Sequence, residues 1–445
     1  VAADISDIST NIDSRLRIKT RRRITLPYFI LLSFFTILIY LRPQEIYTNF
    51  PIAGVHRFLG ILIAISIFML IDHHVIGKLR HTIMIYFALY LIAIVVSIPF
   101  GLWPGGSVQV IEDMILKELI VFMGIILMIN DKRKLKLIIM IIVFSTAILG
   151  VNAIIKYVNH EYIIEGYRAG LRGTFHDPND MALHLLISIP LGYFILYKIQ
   201  NWKIIFISIA LILLTGLIIT YSRGGMIGLA VVGLSIAWYD KQNRIKLFLL
   251  YLGICILVIV LSPYSMERMS TLASGQEGSL LARWTILKRG ISICLENPII
   301  GVGFGNFRIS EGATHEGVGN WQEAHNSIVQ ITAETGILGL IGYVGCILLM
   351  IGTSVKQVQD DGLKNLMLGL KTGTIAYISC GLFLSQAYNW YFFYLLALTI
   401  AAMNLAVTSP LHNESVYKSS QRDIHEPGSQ IANPAYCTFV KYRRP

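Results

Sequence analysis

The feature that most constrains this chain is a succession of long apolar runs that recurs from one end to the other. They fall at roughly Ile24–Leu41, Phe58–Ile71, Thr82–Phe100, Met114–Ile129, Leu135–Val158, Met181–Tyr197, Ile204–Thr220, Gly224–Trp238, Ile245–Ser262, Ile331–Ile351, Leu366–Ser385 and Trp390–Ala406. A helix crosses the hydrocarbon core with about 17–25 apolar residues, and tilt absorbs some variation. In lipid a backbone must satisfy its own polar groups, so such runs predict helices. Composition agrees, with 55% hydrophobic and only 14% charged residues among 445, where soluble domains carry roughly 25% charged. The predicted fold class is all-α: a polytopic membrane protein of about twelve transmembrane helices. The first run, "RRRITLPYFILLSFFTILIY", lacks a small-residue cleavage site and reads as a retained helix.

Lys and Arg set the expected orientation. With the N-terminal arm inside, the inner loops hold Lys78, Arg80, "DKRKLK", Lys198, Lys203, "DKQNRIK", Lys356, Lys364 and Lys371. The short outer loops hold Arg42, Arg57, Arg168, Arg172 and Arg223, roughly five basic residues against fourteen. The expected organisation is a cytoplasmic arm 1–23, helices one to nine over 24–262, a long periplasmic loop 263–330, helices ten to twelve over 331–406, and a disordered cytoplasmic tail 407–445. Within the long loop, "SLLARWTILKRGISICLENP" interleaves Leu281, Trp284, Leu287, Ile291, Cys294 and Leu295 with charged residues. It reads as an amphipathic helix on the outer membrane surface, ended by Pro298.

Polar pieces with chemical potential gather on the outward side. "YRAGLRGTFHDPNDMALHLL" carries Arg168 and Arg172, then Asp177 and Asn179 at a helix start, where such residues cap free N–H groups. Capping alone explains "DPND" but not the arginines. In "TYSRGGMIGL", Arg223 precedes Gly224-Gly225, which would let backbone approach a ligand. Snorkelling is the alternative for such an arginine, although an ionisable group at this depth is a functional candidate by default. Arg283 sits in the amphipathic segment, where the plain alternative is a lipid-facing base. His325-Asn326 in "EAHNSIVQ" opens an apolar helix, and a neutral imidazole accepts a proton near pH 7. Lys117 lies among Glu112, Asp113 and Glu118, and a local pair with Asp113 one turn earlier is its simplest account.

Other signals are weaker. The formal charge of +11 sits in short loops, which points to membrane orientation rather than nucleic acid. "GVGFGNF" does not lie between a strand and a helix, so it is no dinucleotide fingerprint. His176, Asp177 and His184 lack a fourth ligand at metal spacing, and the five cysteines form no framework. No metal and no cofactor is expected. Arginine forks match phosphate oxygens two at a time. An outward cationic cluster with a base therefore suggests a lipid diphosphate, its tail in the bilayer and its glycan in water.

In order, "RGTFHDPNDMA", "YSRGGMIGL", "NPIIGVGFGNF" and "AHNSIVQITAETGILGL" resemble the O-antigen ligase and O-antigen polymerase superfamily, which includes bacterial protein O-oligosaccharyltransferases. Asp177 stands where that family often has Asn. The resemblance implies a GT-C-like, metal-independent glycosyltransferase of the bacterial inner membrane with its active site facing the periplasm. Its partners would be an undecaprenyl-diphosphate-linked glycan, an acceptor hydroxyl on lipid A-core, a growing polysaccharide or a protein, and the bilayer. It implies His325 as catalytic residue and Arg223 and Arg283 as diphosphate-binding residues, with Arg172 a weaker carry-over. Arg168, Lys117, Asn179 and Asn326 complete the candidate set. Polymerase and protein glycosylase remain open within the family, and a polysaccharide transporter outside it, although no internal repeat supports a transporter.

Overall fold

The computed structural model describes residues 26–46, 53–70, 77–246, 249, 253, 278–313 and 321–407. The run Ile245–Ser262, the tail, the arm and parts of the long loop lie largely or wholly outside them. The expected runs that are described are helical: α1 (Leu26–Leu41), α2 (Ala53–Leu70), α3 (Thr82–Ser97), α4 (Leu116–Met128), α5 (Lys132–Val158), α6 (Pro178–Gly192), α7 (Lys203–Ile219) and α8 (Arg223–Tyr239). They continue, beyond the surface helices α9 (Gly278–Glu296) and α10 (Phe307–Ala313), with α11 (Ser327–Gly352), α12 (Asp361–Gly381) and α13 (Trp390–Val407).

Four described segments are long and apolar enough to cross a membrane: Lys132–Val158, Pro178–Ile199, Ser327–Gly352 and Trp390–Val407. Five apolar helices are shorter, so the expectation of twelve spans is only partly met. The run Ile245–Ser262 falls largely outside the described residues and is not among these. A π-helical turn, Ile111–Ile115, precedes α4, and α12 carries Lys364 and Lys371 in its sequence.

α6, α12 and α13 form the centre of the bundle. From Trp390 to Ala402 every residue of α13 is buried. α2 and α7 lie outside and expose Phe68 and Ile204, a lipid-facing pattern. α3 packs along the later half of α11 through a glycine stripe. A Cβ at Gly342 would meet the Tyr90 backbone nitrogen at 2.5 Å, and one at Gly345 the Tyr86 ring at 2.1 Å. Small residues let helix backbones close in where lipid supplies no hydrophobic drive.

α11 is broken at Gly336, whose φ of 66° lies in the left-handed region. Such a break frees backbone groups that lipid cannot satisfy. The segment after α9 supplies the partners: Val302 N–H donates to the Ala333 carbonyl at 2.8 Å, Gly303 N–H to Glu334 at 3.1 Å, and Ile337 N–H to Pro298 at 2.8 Å. That is the structural role of "GVGFGNF": Gly301, Gly303 and Gly305 all have positive φ. A Cβ on Gly303 would meet the Gly101 Cα at 2.4 Å.

Candidate functional site

Three loops and one surface helix meet at one end of the bundle around a cavity of about 530 Å³, lined among others by Arg168, Arg223, Arg283, His325 and Asn326. Four of the five pieces singled out in sequence contribute to it.

The first loop starts as a two-stranded hairpin, Ile163–Ile164 against Arg168–Ala169, turned by left-handed Glu165 and Gly166. The turn brings Arg168 inward, where it is buried. Its Nε donates to the Thr220 carbonyl at 3.0 Å and its Nη2 to Asn179 Oδ1 at 3.0 Å, with Glu165 3.5 Å from Nη1. Asn179 Oδ1 also accepts from Ser222 Oγ at 2.8 Å. Asp177 caps α6 and accepts from both the backbone and side-chain nitrogens of Asn179 at 2.8 Å. Arg168 and Asn179 thus stitch the first loop to the turn before α8.

That turn is "YSRGG". Tyr221 is left-handed at φ 49°, and Ser222 caps α8 by accepting from Gly225 N–H at 3.2 Å. Arg223 is the first residue of α8 and lines the cavity at the positive end of the helix dipole. The expectation that both glycines face a ligand needs correction. Gly224 lines the cavity, but a Cβ at Gly225 would meet Ala182 Cβ at 2.8 Å, so Gly225 serves helix packing.

α9 is amphipathic, with each face occupied differently. Ile286, Gly290 and Ile293 are buried on the side that packs against α10 and α11, while Trp284, Ile291 and Leu295 remain exposed. Arg289 fixes the helix through a 2.6 Å ion pair to buried Glu311. Arg283 then projects into the cavity beside Trp284 and Leu287. Burial and the charges of Arg168 and Arg223 lower its pKa from the ordinary value, while Asp177 opposes the shift.

His325 precedes α11 with a left-handed φ of 48°. Asn326 is the helix cap: its Oδ1 accepts from Ile328 N–H at 3.0 Å and Val329 N–H at 3.1 Å, and its Nδ2 donates to the Leu382 carbonyl at 3.1 Å. The same connection between α12 and α13 holds the neighbours. Ser385 Oγ accepts from His325 N–H at 2.9 Å, and Ser327 Oγ donates to the Leu384 carbonyl at 2.7 Å. Burial, reinforced by the Arg283 charge and opposed by Asp177, lowers the His325 pKa below its ordinary value. The shift favours the neutral imidazole, the form that can take a proton.

Two candidates fall elsewhere. Arg172 is exposed and does not line this cavity, whereas Arg168 does. Lys117 pairs with Asp113 at 3.7 Å and lines a different cavity. His184 is a core residue, its Nδ1 2.8 Å from Tyr391 Oη and its Nε2 3.1 Å from the Tyr40 carbonyl. Glu165, Tyr221, Leu382 and Phe383 line the cavity without having been expected there. Three of the lining residues, Glu165, Tyr221 and His325, share the left-handed backbone that is costly for non-glycine residues and collects at functional sites.

A helical membrane protein with a cavity lined by arginines and a histidine is the class that fold and site define. Residues 183–344 match the family model for O-antigen ligase, which supports placement in the O-antigen ligase superfamily that the motifs resemble. The matched segment contains Arg223, Arg283 and His325. Over 265 residues the chain is 25% identical to the teichuronic acid biosynthesis protein TuaE of Bacillus subtilis (strain 168). That stretch is 55% of this chain and 54% of that protein, so the chain spans about half the length of the curated relative it matches.

Proposed function

We propose that this protein transfers a glycan from undecaprenyl diphosphate to an acceptor hydroxyl at the periplasmic face of a bacterial inner membrane, as an O-antigen ligase-like enzyme. The observation that carries the reading is the convergence of Arg168, Arg223, Arg283 and His325 on one cavity. Guanidinium groups suit the diphosphate because their planar donors pair with two oxygens at once. Arg168 already gives two donors to Thr220 and Asn179, so it serves mainly to fix the loops and the local charge. Arg223 and Arg283 are the diphosphate-binding pair.

The reaction is an in-line displacement. The acceptor oxygen attacks the anomeric carbon as its proton passes to the His325 imidazole. The bond from that carbon to the diphosphate oxygen breaks, and its electron pair leaves with the diphosphate. One such step inverts the anomeric centre and is written without a metal. Pre-placed donors facing growing charge contribute on the order of 2.7–4 kcal/mol each, and a general base typically gives about 10²–10⁴-fold.

A second acceptor is a growing lipid-linked polymer, which would make the enzyme a polymerase, and the similarity to a teichuronic acid biosynthesis protein is compatible with that reading. Purified protein given a lipid-linked donor, with and without lipid A-core, tests both. Glycan joined to lipid A-core supports the ligase, and longer lipid-linked chains without it support the polymerase. Loss of neither donor glycan nor diphosphate linkage under either condition would refute the transferase reading.

A further inference from the structure

The cavity that holds the three arginines is not uniformly cationic. Glu165 and Tyr221 also line it, and neither has a part in the displacement written above. Both stand at left-handed backbone positions, with φ of 52° and 49°. Glu165 lies in the turn between the paired strands Ile163–Ile164 and Arg168–Ala169. Such positions favour Gly, Asn or Asp, so turn geometry does not ask for a glutamate in one turn or a tyrosine in the other. What the two side chains share is the cavity.

The two are also joined to each other. Glu165 Oε1 lies 3.5 Å from Arg168 Nη1, and Oε2 accepts from Tyr167 Oη at 3.4 Å. Both distances are long for contacts to a carboxylate. Arg168 is already fixed by Thr220 and Asn179 at 3.0 Å, and Glu165, 54% exposed, adds little to its anchoring. Tyr167 packs edge-on against Tyr221, the ring centres 5.4 Å apart at 76°. Carboxylate and ring are thereby held as one unit at the cavity wall. The unit belongs to the diphosphate side, since the Glu165 charge bears on Arg283, whereas the charges that bear on His325 are those of Arg283 and Asp177.

We propose that Glu165 and Tyr221 form the subsite for the sugar joined directly to the diphosphate, an inference that rests on the transferase reading above. A diphosphate alone gives no reason to place a carboxylate among its guanidiniums, because like charges repel. A pyranose does. Its hydroxyls donate to a carboxylate, whose four or so lone-pair directions can hold them beside protein donors. Its C–H groups, slightly positive, suit the negative face of an aromatic ring. The pair therefore selects donors whose first sugar turns a hydroxyl or amide N–H toward Glu165.

The test is binding of lipid probes to the full chain in nanodiscs. The probes are undecaprenyl diphosphate alone and the same lipid carrying one N-acetylglucosamine or one galactose. In Glu165→Gln, affinity for at least one sugar-bearing probe should fall roughly ten-fold, the scale of one hydrogen bond to a charged group. Affinity for the bare diphosphate should stay level or rise, which also shows that the variant is folded. Tyr221→Leu should give the same split. Parallel loss of all probes in Glu165→Gln would make Glu165 a brace for Arg168, a parallel gain would make it a counter-charge, and no change would make it a bystander; each overturns the proposal. Arg223→Lys, by contrast, should weaken bare and sugar-bearing probes together. If it weakens neither, the diphosphate reading itself fails, and the subsite falls with it whatever Glu165→Gln shows.

Discussion

The backbone N–H of His325 donates to Ser385 Oγ at 2.9 Å, which anchors the start of α11 to the connection between α12 and α13. The bond holds His325 in its left-handed conformation at the cavity wall. Ser385→Ala removes the acceptor. A single such bond contributes about 0.5–1.5 kcal/mol, so turnover should fall roughly two- to twelve-fold. Donor KM should change little, because the arginines are untouched, and Ser385→Thr should restore the rate. An unchanged rate in Ser385→Ala would show that this bond does not position the imidazole.

The pKa of His325 gives the sign of the pH dependence. Burial and the Arg283 charge lower it, so the neutral base persists to more acidic pH than for a free histidine. Activity should rise as pH increases through a value below the ordinary ~6.5 and then level off. A rate–pH profile of kcat/KM with its acid limb above 7 would contradict this environment.

Arg223→Lys keeps the charge but loses the planar fork, so most activity should disappear, with donor binding weakened. Transfer at the parental rate would reduce Arg223 to an interfacial anchor.

The break in α11 depends on Gly336. A Cβ there would meet the Ile299 carbonyl oxygen at 2.1 Å. Its positive φ with extended ψ is a region that essentially only glycine adopts and costs other residues about 1–3 kcal/mol, so Gly336→Ala should lower the unfolding temperature in detergent markedly. A variant as stable as the parent would show that the break is not fixed by this glycine.

Much of this arrangement was legible in the sequence because membrane helices must be apolar and polar residues among them are conspicuous. The amphipathic character of α9 and the four polar pieces around Arg168, Arg223, Arg283 and His325 could all be read directly. The choice between Arg168 and Arg172 could not. It turns on the left-handed Glu165–Gly166 hairpin, and only the glycine of that pair signals such a turn. The connection around Ser385 is uncharged, so nothing local announced its contact with His325 sixty residues earlier. Gly336 sits inside the run Ile331–Ile351, and a lone glycine there reads as ordinary helix until the chain from Pro298 to Gly303 is seen to complete its hydrogen bonds.

The central claim is that His325 takes the acceptor proton. Its most direct test is single-turnover transfer by His325→Ala, measured together with binding of the lipid-linked donor. Transfer should drop by roughly 10²–10⁴-fold while donor binding stays near the parental level, since Arg223 and Arg283 remain in place. Full transfer by His325→Ala would contradict the account, because deprotonation would then come from another group or from water.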